Sequence, residues 1–321
     1  MLTLPAVETL SLETARELAR FKGNLRLWGV TRLTPDVARA LAETKTGEDL
    51  DLSGVSEVSS EVAGILASTN VPALWLGVRE LDADVARALV PMRGHLIFPD
   101  LETLSPDGAA ELAKHKGPLN LGTVKLSREA AMELVAHKSW LALSGVRRLE
   151  PGVGDILARH ADEVTVSLSE IDSVALARKV FREPYSSSAV NSLETISPEI
   201  ARALVQSPAH VSFSRLKSLT PEAASELAKR PGDIVFMKLA IITAETARAL
   251  ADRPKDEAPV HLDGMVALDG PEAVAVAEAL SSTPGAVSLT RLKRVSADAL
   301  AVLRTKSTIR LPPDDDLTIV P

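Results

Sequence analysis

Cysteine is absent from the 321 residues, tyrosine occurs once, tryptophan three times and phenylalanine five times, so aromatics make up only 3% of the chain. Without cysteine there is no disulfide scaffold, no thiolate-held zinc or iron–sulfur site and no thiol nucleophile. Long apolar runs are missing too: none approaches the roughly 20 residues that cross a bilayer. The start, MLTLPAVETLSLE, has no basic stretch leading into a hydrophobic one, as export would require. The chain as given is therefore expected to be soluble, without membrane insertion. A cytoplasmic setting is favoured over export, and the compartment is otherwise left open. Positive charge is also short, with 36 Lys and Arg against 43 Asp and Glu. That balance argues against nucleic acid as the main partner, because a phosphate backbone is held by clustered cations.

What the chain does have is periodicity, which decides a fold before any local pattern does. The segments TRLTPDVARALA, ETLSPDGAAELAKHKG, ETISPEIARALV, KSLTPEAASELAKRPG and AIITAETARALA share one template: an apolar residue, Ser or Thr, often Pro, an acid, Ala and Leu. The residue before each expected helix falls at Ser11, Thr34, Ser59, Asp82, Ser105, Ser127, Glu150, Asp172, Ser197, Thr220, Thr243, Asp269 and Ser296, in steps of 22 to 27 residues. Thirteen copies on this reading occupy the whole chain, residues 1–321, as a single array. Ser, Thr and Asp at these positions accept hydrogen bonds from orphan amides, and Pro35, Pro106, Pro198 and Pro221 follow where an amide is not missed. Asp36, Asp107, Glu199 and Glu222 place negative charge at the positive end of the helix dipole. In LTPDVARALA, Val37, Ala38, Leu41 and Ala42 form a narrow apolar stripe while Arg39 points outward.

About eleven residues after each helix start, an apolar-x-apolar pair appears, as in Leu25 and Leu27, Leu50 and Leu52, Leu74 and Leu76, Leu96 and Phe98, Leu119 and Leu121, and Leu141 and Leu143. Period two over so few residues, bounded by Gly29, Gly54, Gly77 and Gly145, predicts a short strand with one buried face. One such unit cannot bury its own apolar face, whereas stacked units build a continuous core with a parallel sheet on one side and helices on the other. The tail Pro312-Pro313-Asp314-Asp315-Asp316 reads as a solvated end, with a last strand at Leu317 to Ile319.

These residues resemble those of leucine-rich repeat proteins, and most closely the bacterial subclass whose repeats read apolar-x-apolar-Pro-x-x-Val-x-x-Ile. Leu2, Leu4, Pro5, Val7 and Leu10 fit that phrase. The resemblance implies an α/β solenoid with a parallel sheet on its concave side and short helices on its convex side, used as a binding surface or a spacer, and it carries over no catalytic residue. Two departures stand out. Leu41, Leu112, Leu227 and Leu250 occupy places where the subclass tends to Phe or Cys. The asparagine that usually ties neighbouring loops is replaced by Val30, Val55, Val78, Val124 and Val146. The copy around 172–196 is degenerate, with Arg182-Glu183-Pro184 and a serine run in place of the first strand leucine; a lengthened loop or a boundary near 183 to 192 would account for it. The stretches Pro254 to Pro259 and Ser281 to Pro284 read as longer loops.

Side chains between the strand leucines point out of the sheet. The middle outward column reads Arg26, Asp51, Trp75, Ile97, Asn120, Ala142, Thr165, Ala189, Ser212, Val235, His261, Ser288 and Arg310: large and charged early, small in the middle. With strands about 4.8 Å apart, Arg26, Trp28, Asp49, Asp51, Trp75, His95 and Ile97 would share one patch. Interface energy concentrates in Trp, Tyr and Arg, so this patch is the candidate partner-binding site, suited by its mixed charge to a protein or peptide. Against it stand bland readings: Trp28 folded over the strand edge onto Val30, Trp75 under a terminal cap. His115, His137 and His160 recur at matching positions and are expected to stack on the convex side. A metal or pH-sensing ladder weighs less there than cations favoured at helix C-termini, together with Lys114, Lys116 and Lys138. Gly152-Val153-Gly154 lacks the context of a dinucleotide loop, and neither a phosphate cradle nor a His-Glu-x-x-His run occurs. No catalytic residue, metal or cofactor is expected. The reading is a non-catalytic protein- or peptide-binding scaffold, with a structural spacer within a larger or surface protein as the alternative. Because no cap precedes the first strand, the chain should be a monomer or a weak end-to-end dimer.

Overall fold

The computed structural model describes residues 1–44, 49–122, 125–182, 187–207, 211–253, 258–282 and 284–321. The chain divides into two compact units, Met1–Val166 and Ser167–Pro321.

In the first unit, an eight-stranded parallel sheet runs in chain order through Leu2–Thr3, Leu25–Arg26, Leu50–Leu52, Ala73–Leu76, His95–Phe98, Leu119–Leu121, Leu141–Leu143 and Val164–Val166. Register is strict: Leu2, Leu25, Leu50, Leu74, Leu96, Leu119, Leu141 and Val164 pair in turn, so like sits beside like. From Leu25 onward these side chains are buried, whereas Leu2 in the first row is half-buried. Burying a leucine contributes about 2 kcal/mol, and here a row gains it only when neighbouring rows cover it. Helices such as Pro35–Ala42 and Ser60–Ala67 pack beside one another in the same order and bury Val37, Ala38 and Leu41, then Val62, Ala63 and Leu66.

The second unit repeats this plan. Its five-stranded parallel sheet pairs Val211, Ile234, Val260, Val287 and Ile309 in register. Phe213 and Phe236 stack in its core with ring centroids 5.1 Å apart. A smaller parallel sheet joins Ala267–Leu268, Arg294–Ser296 and Thr318–Val320, so the expected last strand is present.

Helix starts follow the expected chemistry at Ser11, Thr34, Ser59, Asp82, Ser105, Ser127, Ser197, Thr220, Thr243 and Ser296, each of whose side chains accepts from an amide three residues on. Three starts differ. Glu150 does not cap a helix: Gly152, at φ 80°, turns the chain into Val153–Leu157 with no side-chain cap. Asp172 yields by one residue to Ser173, whose hydroxyl accepts from the Leu176 amide at 3.1 Å. Asp269 is drawn to Arg294 in an ion pair, and the helix begins only at Ala273, beyond Gly270-Pro271. The degenerate copy also departs from expectation. Ala189, placed in the outward strand column, lies buried in a helix, Ser187–Ser192. The Ser192 hydroxyl donates to Leu168 O at 2.8 Å and Ala189 O at 2.9 Å, closing that row without a strand. Residues 183–186, and much of the longer loop near Pro254, lie outside the described residues.

Valine in place of the loop-tying asparagine is explained by backbone closure. The Val30 and Val55 amides donate back to Leu27 O (3.1 Å) and Leu52 O (2.9 Å), leaving apolar side chains to fill the loop interior. Val30, Val55 and Val146 are fully buried there, and Val124 lies outside the described residues. Between rows the loops touch directly. A Cβ at Gly54 would overlap the Trp28 carbonyl, one at Gly77 the Ser53 carbonyl and one at Gly122 the Pro99 carbonyl. Glycine here is a requirement of close approach, not of dihedral freedom. Gly77→Ala should therefore lower the unfolding free energy by about 2 kcal/mol or more, the usual cost of overpacking a tight contact. Gly270→Ala, with open space around it, should change stability by less than about 0.5 kcal/mol. Urea unfolding followed by circular dichroism distinguishes the two; equal behaviour would contradict the contact.

Candidate functional site

Strand register sets the outward face of the first unit. Arg26, Asp51, Trp75, Ile97, Asn120, Ala142 and Thr165 follow one another across adjacent strands. Asn24 and Asp49 stand one residue ahead of Leu25 and Leu50. Arg26, Asp49, Asp51 and Trp75 come together with Asn24 around a hollow of about 240 Å³. Trp28 sits in the turn after its strand, 45% exposed, with the Arg26 guanidinium carbon 5.9 Å from its ring centroid, within cation–π reach. Asp51 accepts from the Ser53 amide at 3.0 Å, which fixes one carboxylate oxygen.

His95 and Ile97 belong to the same face but not to the hollow. Ile97 is only 5% exposed, held in register between the larger Trp75 and Asn120, and adds floor rather than a reaching group. His95 is half-buried with its ring 5.3 Å from that of Trp140. Burial holds the His95 imidazole below its ordinary pKa, and His115 lowers it further. Trp140 escaped the sequence reading, although it precedes Leu141 as Asn24, Asp49 and His95 precede their own strand leucines. Its Nε1 donates to Thr165 Oγ1 at 2.9 Å, pinning the indole to the face. All three tryptophans of the chain thus stand on or beside one side of one sheet.

The histidines at matching positions are arranged differently from expectation. His115 and His137 stack with centroids 6.4 Å apart and His160 follows 5.9 Å from His137 with its ring tilted by 43°, but the three are 2%, 0% and 3% exposed, not solvated cations. Lys114, Lys116 and Lys138 go to solvent and the imidazoles go inside. His115 Nε2 donates to Gly94 O at 3.0 Å, and His160 Nδ1 accepts from the Asp162 amide at 3.2 Å, both compatible with neutral rings. Burial lowers the pKa of His115 and takes that of His137 down to about 4, aided by the flanking imidazoles. The same place in the repeat is filled in the second unit by Arg230 and Arg253, buried and donating to carbonyls of the preceding row: Arg230 Nη2 to Ser207 O at 3.3 Å, Arg253 Nη2 to Arg230 O at 2.7 Å. The position after these helices is thus a recurrent internal slot, whose buried occupants His115, Arg230 and Arg253 all donate to the row before. Among the described residues no group of three or more His, Asp or Glu is disposed to hold a metal ion.

A second concavity, of about 560 Å³, lies in the other unit between Ala240–Thr243 and Met265–Ala273, with Ile241 85% exposed at its rim. The sequence reading gave it no place, because Ile241 and Ile242 look like ordinary pre-helix apolar residues.

Parallel strands in chain order, one buried leucine ladder, capped helices on the opposite side and a repeated internal slot define the class: each unit is a leucine-rich-repeat solenoid. No protein-family model and no curated protein sequence matches the chain. Among solved structures, the chain is similar to a leucine-rich-repeat protein of Leptospira interrogans, at 12% identity and TM-score 0.39, covering 98% of this chain and 99% of that one. It is similar also to an internalin of Listeria monocytogenes, at 13% identity and TM-score 0.47, covering 97% and 85%. A third likeness is to a chain of the Toll–Spätzle complex of Drosophila, at 10% identity and TM-score 0.35, covering 91% and 55%. With these overlays below 0.5, the fold assignment stands on the strand order and register described above. Among the described residues no helix is long and apolar enough to cross a membrane.

The histidine stack generates a pH dependence with a definite sign. A pKa lowered on folding means that the unfolded chain binds protons more readily, so stability is complete above the unfolded value near 6.5 and falls as pH drops toward about 4. His137 alone should contribute a loss of about 3 kcal/mol across that window. His137→Met, which copies Met92 at the same place two rows earlier, should flatten the acid limb of a urea-midpoint profile between pH 7 and pH 4. An unchanged limb would show that the stack does not titrate on unfolding.

Proposed function

We propose that the chain is a non-catalytic binding scaffold that takes a peptide or protein segment on the sheet face of its first unit. One observation carries the reading: strand register sets Arg26, Asp51 and Trp75 side by side around the Asn24–Asp49 hollow, on a face that also bears Trp28 and Trp140. Of these, Arg26 and the three tryptophans are of the residue types in which interface energy concentrates. Trp28 is 45% exposed, and Trp75 and Trp140 are half-buried, so each leaves indole surface that folding alone does not cover. Rigid strands hold the side chains in place, so little ordering remains to oppose binding.

A structural spacer is the second reading, and the other unit favours it. Its middle column reads Ser212, Val235, His261, Ser288 and Arg310, small at both serines, with Ser288 only 2% exposed and a long charged side chain only in the last row. Such a face offers a partner little area to anchor on.

Selection of random 12-residue peptides on phage against the intact chain tests the proposal, with a Trp28→Ala, Trp75→Ala double variant as comparison once circular dichroism shows it folded. Peptides recovered on the intact chain should bind the variant about tenfold more weakly or worse, the loss typical of removing interface anchors. Failure to recover peptides, or peptides indifferent to both substitutions, would overturn the binding reading and leave the spacer.

A further inference from the structure

We propose that the hollow beside Trp75 is a pocket for one basic side chain of an extended peptide, and that the same peptide seats an apolar side chain about four residues away against the His95–Trp140 pair. This deepens the reading of the face as a peptide-binding surface and rests on it.

Charge decides the sign of the ligand. Two carboxylates, Asp49 and Asp51, and one guanidinium, Arg26, line the hollow. Arg26 stacks toward Trp28, and among the described residues no ion pair joins it to either aspartate. Asp51 spends one oxygen on the Ser53 amide, which leaves the other, together with Asp49, to meet a cation. An acidic side chain entering the hollow would face both carboxylates with only Arg26 in its favour. Trp75 supplies the wall, and an indole face attracts a cation as well as packing against the methylenes of Lys or Arg. Carboxylates and an aromatic ring select the same ligand from two independent sides.

Size decides how much of the ligand enters. A hollow of about 240 Å³ is smaller than the roughly 300–1,000 Å³ of sites that enclose a small molecule. It fits a single side chain, with the remainder of the ligand lying along the sheet. Spacing then places the second contact. From midway between the strands of Asp51 and Trp75 to midway between those of His95 and Trp140 is two and a half strand spacings, about 12 Å, and four residues of extended chain span about 13 Å. Side chains four apart on an extended peptide also share a face, so both can point at the sheet.

The test uses the peptides recovered from the phage selection on the intact chain. They should be enriched in Lys or Arg with an aliphatic or aromatic residue four positions away. For one such synthetic peptide, fluorescence anisotropy should show about five- to tenfold weaker binding to an Asp49→Asn, Asp51→Asn variant. Replacing the peptide's basic residue by Gln should weaken binding to the intact chain by a similar factor, and the two losses should not add. Asparagine keeps the shape and the Ser53 hydrogen bond, so the variant folds as the parent does, which circular dichroism checks. Peptides that need Trp28 and Trp75 yet carry no basic residue, or ignore the aspartate substitutions, would overturn this pocket and leave the face as a binding surface. Recovery of no tryptophan-dependent peptide would overturn both.

Discussion

Everything in either unit depends on how closely one loop lies on the next. Parallel strands pair at about 4.8 Å, and a row can keep that spacing at its loops only if nothing protrudes between them. Gly54, Gly77 and Gly122 remove the Cβ that would strike the preceding carbonyl. With loops nested, the Gly122 amide reaches Phe98 O at 2.8 Å and the Gly264 amide reaches Phe236 O at 2.8 Å. The leucine ladder then closes over itself, and the core is a consequence of row spacing as much as of apolar composition. The same constraint removes the need for a side-chain ladder in the loop, because backbone groups satisfy one another and valine can fill the interior.

Row spacing also makes the candidate site. Arg26, Asp51 and Trp75 are more than twenty residues apart in sequence and adjacent in space only because their strands share one register. Small or buried neighbours such as Ala142 and Ile97 keep the rest of the column low, so the hollow and the Trp140–His95 pair stand out as relief. A rigid sheet with localised relief is suited to reading side chains of an extended ligand.

Much of this was legible in the sequence because it obeys short-range rules. Capping residues marked the helices wherever Ser, Thr or Asp had no competing partner, and alternation marked the strands together with their outward column. The misreadings at Asp269, Ala189 and the histidines share a physical cause, an interaction between rows that one row does not contain, whereas the starts at Gly152 and Ser173 turned on residues of their own row. Asp269 was diverted by Arg294 in the next row, and Ala189 fell in a helix closed by Ser192 bonding back to Leu168. The histidines sat beside exposed lysines in sequence, and only the depth of the slot behind each helix separates them. Trp140 was visible in the column ahead of the strand leucines, but its meaning depends on His95 and Thr165, which lie in other rows.

Amide hydrogen exchange at Gly122 and Gly264 tests the central claim most directly. If the loops are nested as described, both amides are protected to the same order as the strand amides of Leu25 and Leu27, which also donate across rows. Exchange at the rate of an unstructured peptide at both glycines, with the strands still protected, would contradict the claim and leave the sheet alone to hold the rows together.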